Sequence, residues 1–370
     1  MMKKSSRLLI VGGEDSRLRL SFARALAEAG WEVCFVTPAE EPELLRSEFE
    51  VYHYVLNREL APFRDFLTLL QLFKLFSRLR PQVVQSFDTK PSIYSPLAAW
   101  AARVPRRVRT LTGLGRVYGE GGPRLILRFY ETLQRLASAA SHTTVFQNQD
   151  DRALFIERGL VTEKKARVFF GSGLDIAAWT LMRRGIDRER VRQRMGWTNN
   201  FVLLFVARMI WSKGVGVLLQ AVQHFGDEPS KLKLVLAGPI DENDSDAVPR
   251  AELEQAGDIV DYIGSTPDLG PIYAAADAFV LPTYYREGVP RALMEAGIMG
   301  LPLIATDAPG CRKVVVPGKG GFLVKPKSVE SLAQAIEALL TSTEAERSCM
   351  AMFNQRHIAE HFDLKKIVDQ

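Results

Sequence analysis

The stretch TYYREGVPRALMEAGIMGLPLIATDAPG, residues 283–310, holds two glutamates eight apart, Glu287 and Glu295. Gly288, Val289 and Pro290 lie between the first glutamate and a run with helical spacing. Pro290 fits the first helical position, where a missing N–H costs nothing. The amides of Gly288 and Val289 would then stand at a helix N-terminus, an anion site suited to a diphosphate. Glu295 falls roughly 7–8 Å along the axis from Pro290 at 1.5 Å per residue. A carboxylate only accepts hydrogen bonds, so it suits vicinal hydroxyls, each a donor. A ligand with a diphosphate between two polyols, such as a nucleotide-sugar, matches this set. A plainer role as capping acids favoured by the helix dipole fits the spacing as well.

A diphosphate needs cations. FVLLFVARMIWSKGVGVLLQA sets Arg208 and Lys213 between a strand and a helix, one a planar fork of donors and the other a point charge. A surface-charge role is the alternative. Positioning such groups requires strands that end beside them. Apolar runs at 7–11, 32–37, 83–87, 107–111, 143–147 and 166–170 alternate with helix-length segments, one of which stops at Gly30. A second series follows at 201–207, 233–238, 259–264, 278–283, 302–307 and 321–324. This alternation predicts parallel sheets with helices on both faces. A polar stretch around 182–200 separates the two series. The predicted class is α/β, two doubly wound domains facing each other across a cleft. Ligands of such sheets bind at the carboxyl ends of the strands. The loop VGGEDSR after the first strand lacks G-x-G-x-x-G, and no G-x-x-x-x-G-K-[ST] occurs, so dinucleotide and P-loop readings are weak.

Length and composition agree with two globular domains: 370 residues, 47% hydrophobic and 25% charged. No apolar run approaches the ~20 residues of a membrane span. The start, MMKKSSRLLIVGG, has too short an apolar part for a signal peptide and reads as a first strand. Three scattered cysteines suggest reduced thiols and a cytosolic location. Charge is uneven: residues 1–185 hold 28 Lys and Arg against 19 Asp and Glu, and the remainder 20 against 24. A basic first half attracts phosphate-rich partners, unless it is simply an Arg-rich solvated face.

Taken together, these motifs resemble the retaining glycosyltransferases of family 4, whose fold is called GT-B. VARMIWSKGVGVLLQA is similar to the family's donor-phosphate segment, and YREGVPRALMEAGIMGLPLIATDAPGCRKVV to its E-x7-E region. VFQNQDDRALFIERGLV and FFGSGLDIAAW resemble the junction between the two Rossmann-like domains. VVQSFDTKPSIYSPLAAWAARVP and LTGLGRVYG resemble a bacterial subgroup that builds polysaccharides and glycans on lipid carriers. The resemblance implies an acceptor-binding domain over 1–180 and a donor-binding domain over 181–349, with a terminal helix at about 350–370 packing back on the first.

It further implies that Arg208 and Lys213 bind the donor diphosphate and that Glu287 holds the transferred sugar. Amides around Gly288, Val289 and Pro290 would contact phosphate and sugar, although proline itself has none to donate. Glu295 would bind the ribose, and Tyr262, Ile263 and Gly264 would line the base pocket. Gly12 and Gly13 would bring backbone close to the reacting centre. A histidine common in the family is missing from TLTGLG, where Thr112 and Gly113 stand; Asp88, as a base, and Lys90 are nearby candidates for acceptor or phosphate contacts. The resemblance also implies retention through a front-face, oxocarbenium-like path, no metal or other cofactor, and a nucleotide-sugar, by default a UDP-sugar, as co-substrate. DENDSD (241–246) reads as a loop rather than a metal site.

Residues 61–81, APFRDFLTLLQLFKLFSRLRP, mix Phe and Leu with Arg and Lys. They fit either a core helix or a helix at a bilayer interface. With RVPRRVRT and GPRLILRFYETLQRLA, they predict that the first domain docks on an anionic membrane, on its cytoplasmic face, and takes a lipid-linked or oligosaccharide acceptor. Rival readings are a nucleotide-sugar 2-epimerase on the same fold, a metalloenzyme built on HIAEH (357–361), and a basic nucleic-acid-binding protein, for which no recognition module is found.

Overall fold

A computed structural model of the chain describes residues 6–369 except 14–15, 39–42, 58–60, 116–117, 119–123, 172 and 227–231. The opening MMKKS, Glu14 and Asp15 of the first loop, residues 116–117 and 119 of LTGLGRVYG, and 122–123 at the start of the following Arg-rich segment lie outside that set. The chain forms two units. One comprises Met1–Gly173, Arg286–Val289 and Leu364–Gln370; the other comprises Leu174–Tyr285 and Pro290–Asp363.

The first unit is built on β1 (Ser6–Val11), β2 (Trp31–Thr37), β3 (Glu50–His53), β4 (Val83–Ser86), β5 (Arg106–Leu111), β6 (Thr143–Phe146) and β7 (Ala166–Val168). All pairs are parallel, in the order β3-β2-β1-β4-β5-β6-β7. A parallel sheet is covered on both faces, so its inner strands are apolar without alternation. In β1, Leu9 and Val11 join a core with Val36, Leu72 and Phe76, while Leu8 and Ile10 join another with Ala23, Leu26 and Phe35.

The second unit contains β8 (Phe201–Val206), β9 (Leu232–Ala237), β10 (Val260–Gly264), β11 (Ala278–Leu281), β12 (Leu303–Thr306) and β13 (Gly321–Val324). They are parallel in the order β10-β9-β8-β11-β12-β13. Both units are therefore doubly wound α/β sheets. Each has one topological switch point, at β1/β4 and at β8/β11, where crevices for ligands form.

Three boundaries differ from the sequence reading. The stretch around 182–200 is largely helical, in Ile176–Gly185 and Arg188–Met195, because Asp175 and Asp187 cap their starts by accepting the amides of Ala178 and Arg190 at 2.9 and 3.1 Å. The first unit's opening segment ends at Gly173 rather than 180. The helix Glu344–His361 belongs to the second unit, where buried Asn354 donates to the carbonyls of Leu301 (2.8 Å) and Gly320 (2.7 Å). Only Leu364–Gln370 rejoins the first unit, with Val368 against the core of Leu8 and Ile10.

Candidate active site

At the second unit's switch point, the chain leaving β8 runs through Arg208 to a short turn, Trp211–Lys213, and then into the helix Val215–Gln223. This segment is stitched to the chain leaving β11. The Ser212 carbonyl accepts the amides of Tyr284 (3.0 Å) and Tyr285 (2.9 Å). Gly214 has φ +87°, and a Cβ there would stand 2.1 Å from the Pro282 carbonyl oxygen, so only glycine allows the approach. Lys213 lies over the ring of Tyr285, Nζ 5.4 Å from its centroid. Arg208 is 41% exposed, and its NH1 is 3.4 Å from Asp244. The loop DENDSD thus holds the cation-bearing segment in place: Asp244 faces Arg208, and Asp246 accepts from the Ser212 hydroxyl and amide.

The adjoining helix is Arg291–Met299. Pro290 is its N-cap, with ψ 118°, and not its first helical residue. The amides of Arg291, Ala292 and Leu293 have no partner among the described residues, as expected of a helix start. One turn in, Glu295 is almost fully buried. It accepts from Arg291 Nε at 2.7 Å, an i,i+4 pair, and from the hydroxyl of buried Tyr273 at 3.1 Å. Burial pushes its carboxyl above the ordinary value, against the pull of Arg291. Tyr262, Ile263 and Gly264 form the carboxyl end of the edge strand β10; the Tyr262 hydroxyl donates to the Gly238 carbonyl at 3.0 Å, and Arg250 stacks on its ring.

At the first unit's switch point, Gly12 and Gly13 follow β1 and Asp88 follows β4. Asp88 gathers three donors: the Gly13 amide (2.9 Å), the Thr112 hydroxyl (3.2 Å) and Arg19 (3.3 Å). A carboxylate so engaged organises a loop; it is a poor arrangement for the base suggested by sequence alone. The Tyr54 hydroxyl donates to the Gly12 carbonyl at 2.8 Å and the Thr37 hydroxyl to that of Gly13 at 3.3 Å. Lys90, expected near the acceptor, is tied instead to Asp65 at 2.9 Å with both side chains mostly buried.

Glu287 and Glu295 fall in different units. The segment Arg286–Val289 belongs to the first, where Glu287 pairs with Gly113 in an antiparallel bridge. The Gly288 amide donates to the Thr112 carbonyl at 3.0 Å, and the Val289 amide to Gln147 Oε1 at 3.1 Å. These two amides, expected on phosphate and sugar, are therefore occupied; the free ones are those of 291–293. A Cβ on Gly288 would come within 2.1 Å of Gln147 Oε1 and 2.5 Å of the Thr112 oxygen, so this join also requires glycine. Arg286 anchors the segment through buried Asp151 at 2.9 Å and lies over Tyr118.

Sequence reasoning missed Asp244, Asp246, Ser212, Tyr273, Arg291, Arg286, Asp151 and Gln147. The Arg291–Glu295 spacing was the one available signal. In HIAEH, His357 Nε2 lies 2.9 Å from the Lys313 carbonyl oxygen. Among the described residues, no three His, Cys, Asp or Glu side chains are grouped to hold a metal ion.

Residues 187–352 match the family described as glycosyl transferases group 1, and residues 16–169 match the glycosyl transferase 4-like domain. The chain is 28% identical, over 89% of its length and 87% of the relative's, to N,N'-diacetylbacillosaminyl-diphospho-undecaprenol alpha-1,3-N-acetylgalactosaminyltransferase of Campylobacter jejuni. It is 25% identical, over 90% and 87%, to the capsular polysaccharide biosynthesis glycosyltransferase CapM of Staphylococcus aureus. Its fold is similar to that of Anabaena HepE, solved with UDP-glucose, at a TM-score of 0.80 and 20% identity over 98% of this chain and 97% of that one.

Proposed function

The chain belongs to the group 1 glycosyl transferases, with a glycosyl transferase 4-like domain in its first half, and from that premise we propose that it moves a hexose or N-acetylhexosamine from a UDP-sugar to a sugar on a lipid diphosphate, with retention of configuration, in bacterial surface-glycan assembly. The observation that carries this reading is the second unit's switch point: two cations, three free helix amides and a buried carboxylate at the ends of neighbouring strands. Departure of the nucleoside diphosphate builds negative charge on its oxygens. Arg208, Lys213 and the amides of 291–293 are donors fixed in advance to stabilise it. Glu295 takes the ribose hydroxyls. Asp88 holds the loops of Gly13 and Thr112 in place on the acceptor side. No metal is required, because the cations and helix start supply the positive charge. The lipid-diphosphate acceptor and UDP are the partners named for the Campylobacter relative and for HepE respectively.

The test is turnover. With UDP-sugars screened one at a time, one of them raises the Tm and is consumed only when a lipid-diphosphate-linked sugar is added, at a rate unchanged by EDTA. Epimerised donor formed without acceptor would favour the 2-epimerase reading instead.

The acceptor's lipid implies a membrane, and an exposed apolar stripe on the first unit supports docking there. The helix Pro62–Leu79 has a buried face, which also includes Asp65, and an exposed apolar stripe. Thr68, Leu72 and Phe76 are buried, while Phe63, Phe66, Leu67, Leu70 and Phe73 are exposed, Phe63 by 75%. The helix Arg124–Ala140 exposes Leu125, Ile126, Phe129 and Leu136. Both pack on the helix Pro91–Ala101 between them. No described helix is long and apolar enough to cross a membrane. A solvent-facing apolar stripe beside Arg64, Lys74 and Arg78 suits an anionic bilayer surface. The protein is expected to sediment with anionic but not zwitterionic liposomes, and less at high salt. Replacing both Phe66 and Phe73 by serine weakens binding roughly a hundredfold or more, since each inserted ring contributes about 1.5–3 kcal/mol. Indifference to anionic liposomes at low salt would remove the membrane from this reading.

A further inference from the structure

We infer that a pocket at the carboxyl end of β3 is the subsite for the acceptor's diphosphate; the inference rests on the lipid-diphosphate acceptor proposed above. The pocket has a volume of about 430 Å³ and is lined by Pro38, Arg46, His53, Tyr54, Val55 and Gln71. That volume lies in the range of small-molecule sites, roughly 300–1,000 Å³.

Among the described residues its lining carries positive charge and no acid. Arg46 and His53 have no hydrogen-bond or ion-pair partner among the described residues. Of the described acids nearby, Glu48 holds Arg24 at 2.5 and 2.7 Å, and Glu50 accepts from the Tyr52 hydroxyl at 2.7 Å. Gln71 uses its oxygen to accept the Val55 amide at 2.9 Å, which leaves its NH2 donors for a ligand. A planar guanidinium, an imidazole and a carboxamide around one concavity are a donor set for phosphate oxygens, and arginine is the side chain best shaped for them.

Its place in the sheet gives the ligand a direction. Tyr54 forms one wall and donates to the Gly12 carbonyl, so the pocket adjoins the loop of Gly12 and Gly13. β3 lies two strands from β1, about 10 Å at 4.8 Å per strand. A short glycan attached to the diphosphate can span that gap along the carboxyl edge, with its accepting sugar beyond Gly12 towards Asp88 and Thr112. Gln71 comes from the helix Pro62–Leu79, whose exposed stripe of Phe66, Leu70 and Phe73 would receive the lipid tail. Head group, glycan and tail thus follow one continuous surface of the first unit.

Arg46 is exposed, so its replacement leaves the fold intact. Full-length Arg46→Ala, Arg46→Lys and His53→Ala are compared with the wild type for binding and transfer. The probes are a short-chain prenyl-diphosphate-linked N-acetylhexosamine in micelles, the same sugar as a methyl glycoside, and inorganic pyrophosphate. The expected result is an acceptor Kd and KM about tenfold higher in Arg46→Ala for the prenyl-diphosphate probe only, smaller in Arg46→Lys, with the UDP-sugar KM unchanged. Pyrophosphate should compete with that probe in the wild type and not in Arg46→Ala. Equal weakening of both acceptors, or no weakening of the diphosphate probe, overturns the subsite. Because binding is read directly, a wild type that binds the prenyl-diphosphate probe through Arg46 yet transfers nothing would sink the transferase reading and leave the subsite standing. A competent wild type with a normal Arg46→Ala variant would do the reverse.

Discussion

Arg208→Ala lowers kcat by about 10²–10³-fold, the usual effect of removing one preorganised donor from developing charge. The prediction is specific because little else about Arg208 matters to the fold. Its side chain is 41% exposed, and its described partner is a single carboxylate, Asp244, at 3.4 Å. The pair is part-buried, with the Asp244 side chain 9% exposed, but its contact is long, so its loss should cost about 1 kcal/mol and lower the Tm of the free protein by only a few degrees. Asp244 keeps a local role without Arg208, since it accepts the Asp246 amide at 3.0 Å. Arg208→Lys restores a charge but not a fork and should recover only part of the rate. Steady-state kinetics with saturating UDP-sugar and acceptor reads the effect. A normal kcat in Arg208→Ala would mean that the leaving group's charge is met elsewhere, and the assignment of the β8/β11 crevice would fall with it.

Why Arg208 was legible and Asp244 was not follows from how each is encoded. The inner strands of a parallel sheet are apolar on both faces, so β1, β8 and β11 announce themselves as short hydrophobic runs. A cation just beyond such a run stands at a carboxyl end, where ligands bind. β3 escaped because EVYH is an edge strand with both ends exposed and no apolar run. Asp244 and Asp246 reach Arg208 and Ser212 across 36 and 34 residues, and no local spacing encodes such a pairing. The same holds for Gln147, which meets Val289 across 142 residues. This long-range contact is what occupies an amide that sequence alone left free. Pro290 was misplaced by one position because its fixed φ suits both an N-cap and a first helical residue. The double character of Pro62–Leu79 was half legible. Composition alone fitted a core helix or an interfacial one, and the structure gives this element one buried face and one exposed apolar stripe.

Glu295 tests whether a buried carboxylate serves the ligand or only its neighbours. Glu295→Ala leaves the Tyr273 hydroxyl, fully buried, without its acceptor and deprives Arg291 of its partner. The cost is about 1–3 kcal/mol, read as a Tm lowered by about 2–4 °C per kcal/mol, together with loss of the UDP-sugar-induced shift. Glu295→Gln separates the two roles. Its amide oxygen can still accept from Tyr273 or Arg291, so the fold is retained. It replaces one of two acceptor oxygens by a donor, which opposes a ribose diol, and UDP-sugar affinity should fall at least tenfold. The pH dependence gives an independent sign. Burial raises the folded-state value of this carboxyl above its ordinary 4.5, so the native state binds the proton more tightly than the unfolded chain does. The stability it contributes is complete below the unfolded value and declines as pH rises through the raised one. Wild type should therefore lose stability relative to Glu295→Gln as pH climbs from about 4.5 towards neutrality. Parallel stability curves for the two proteins would show that the carboxyl is not held in this environment. An undiminished donor-induced shift in Glu295→Gln would reduce Glu295 to an internal partner of Arg291 and Tyr273 and leave the ribose to be bound elsewhere.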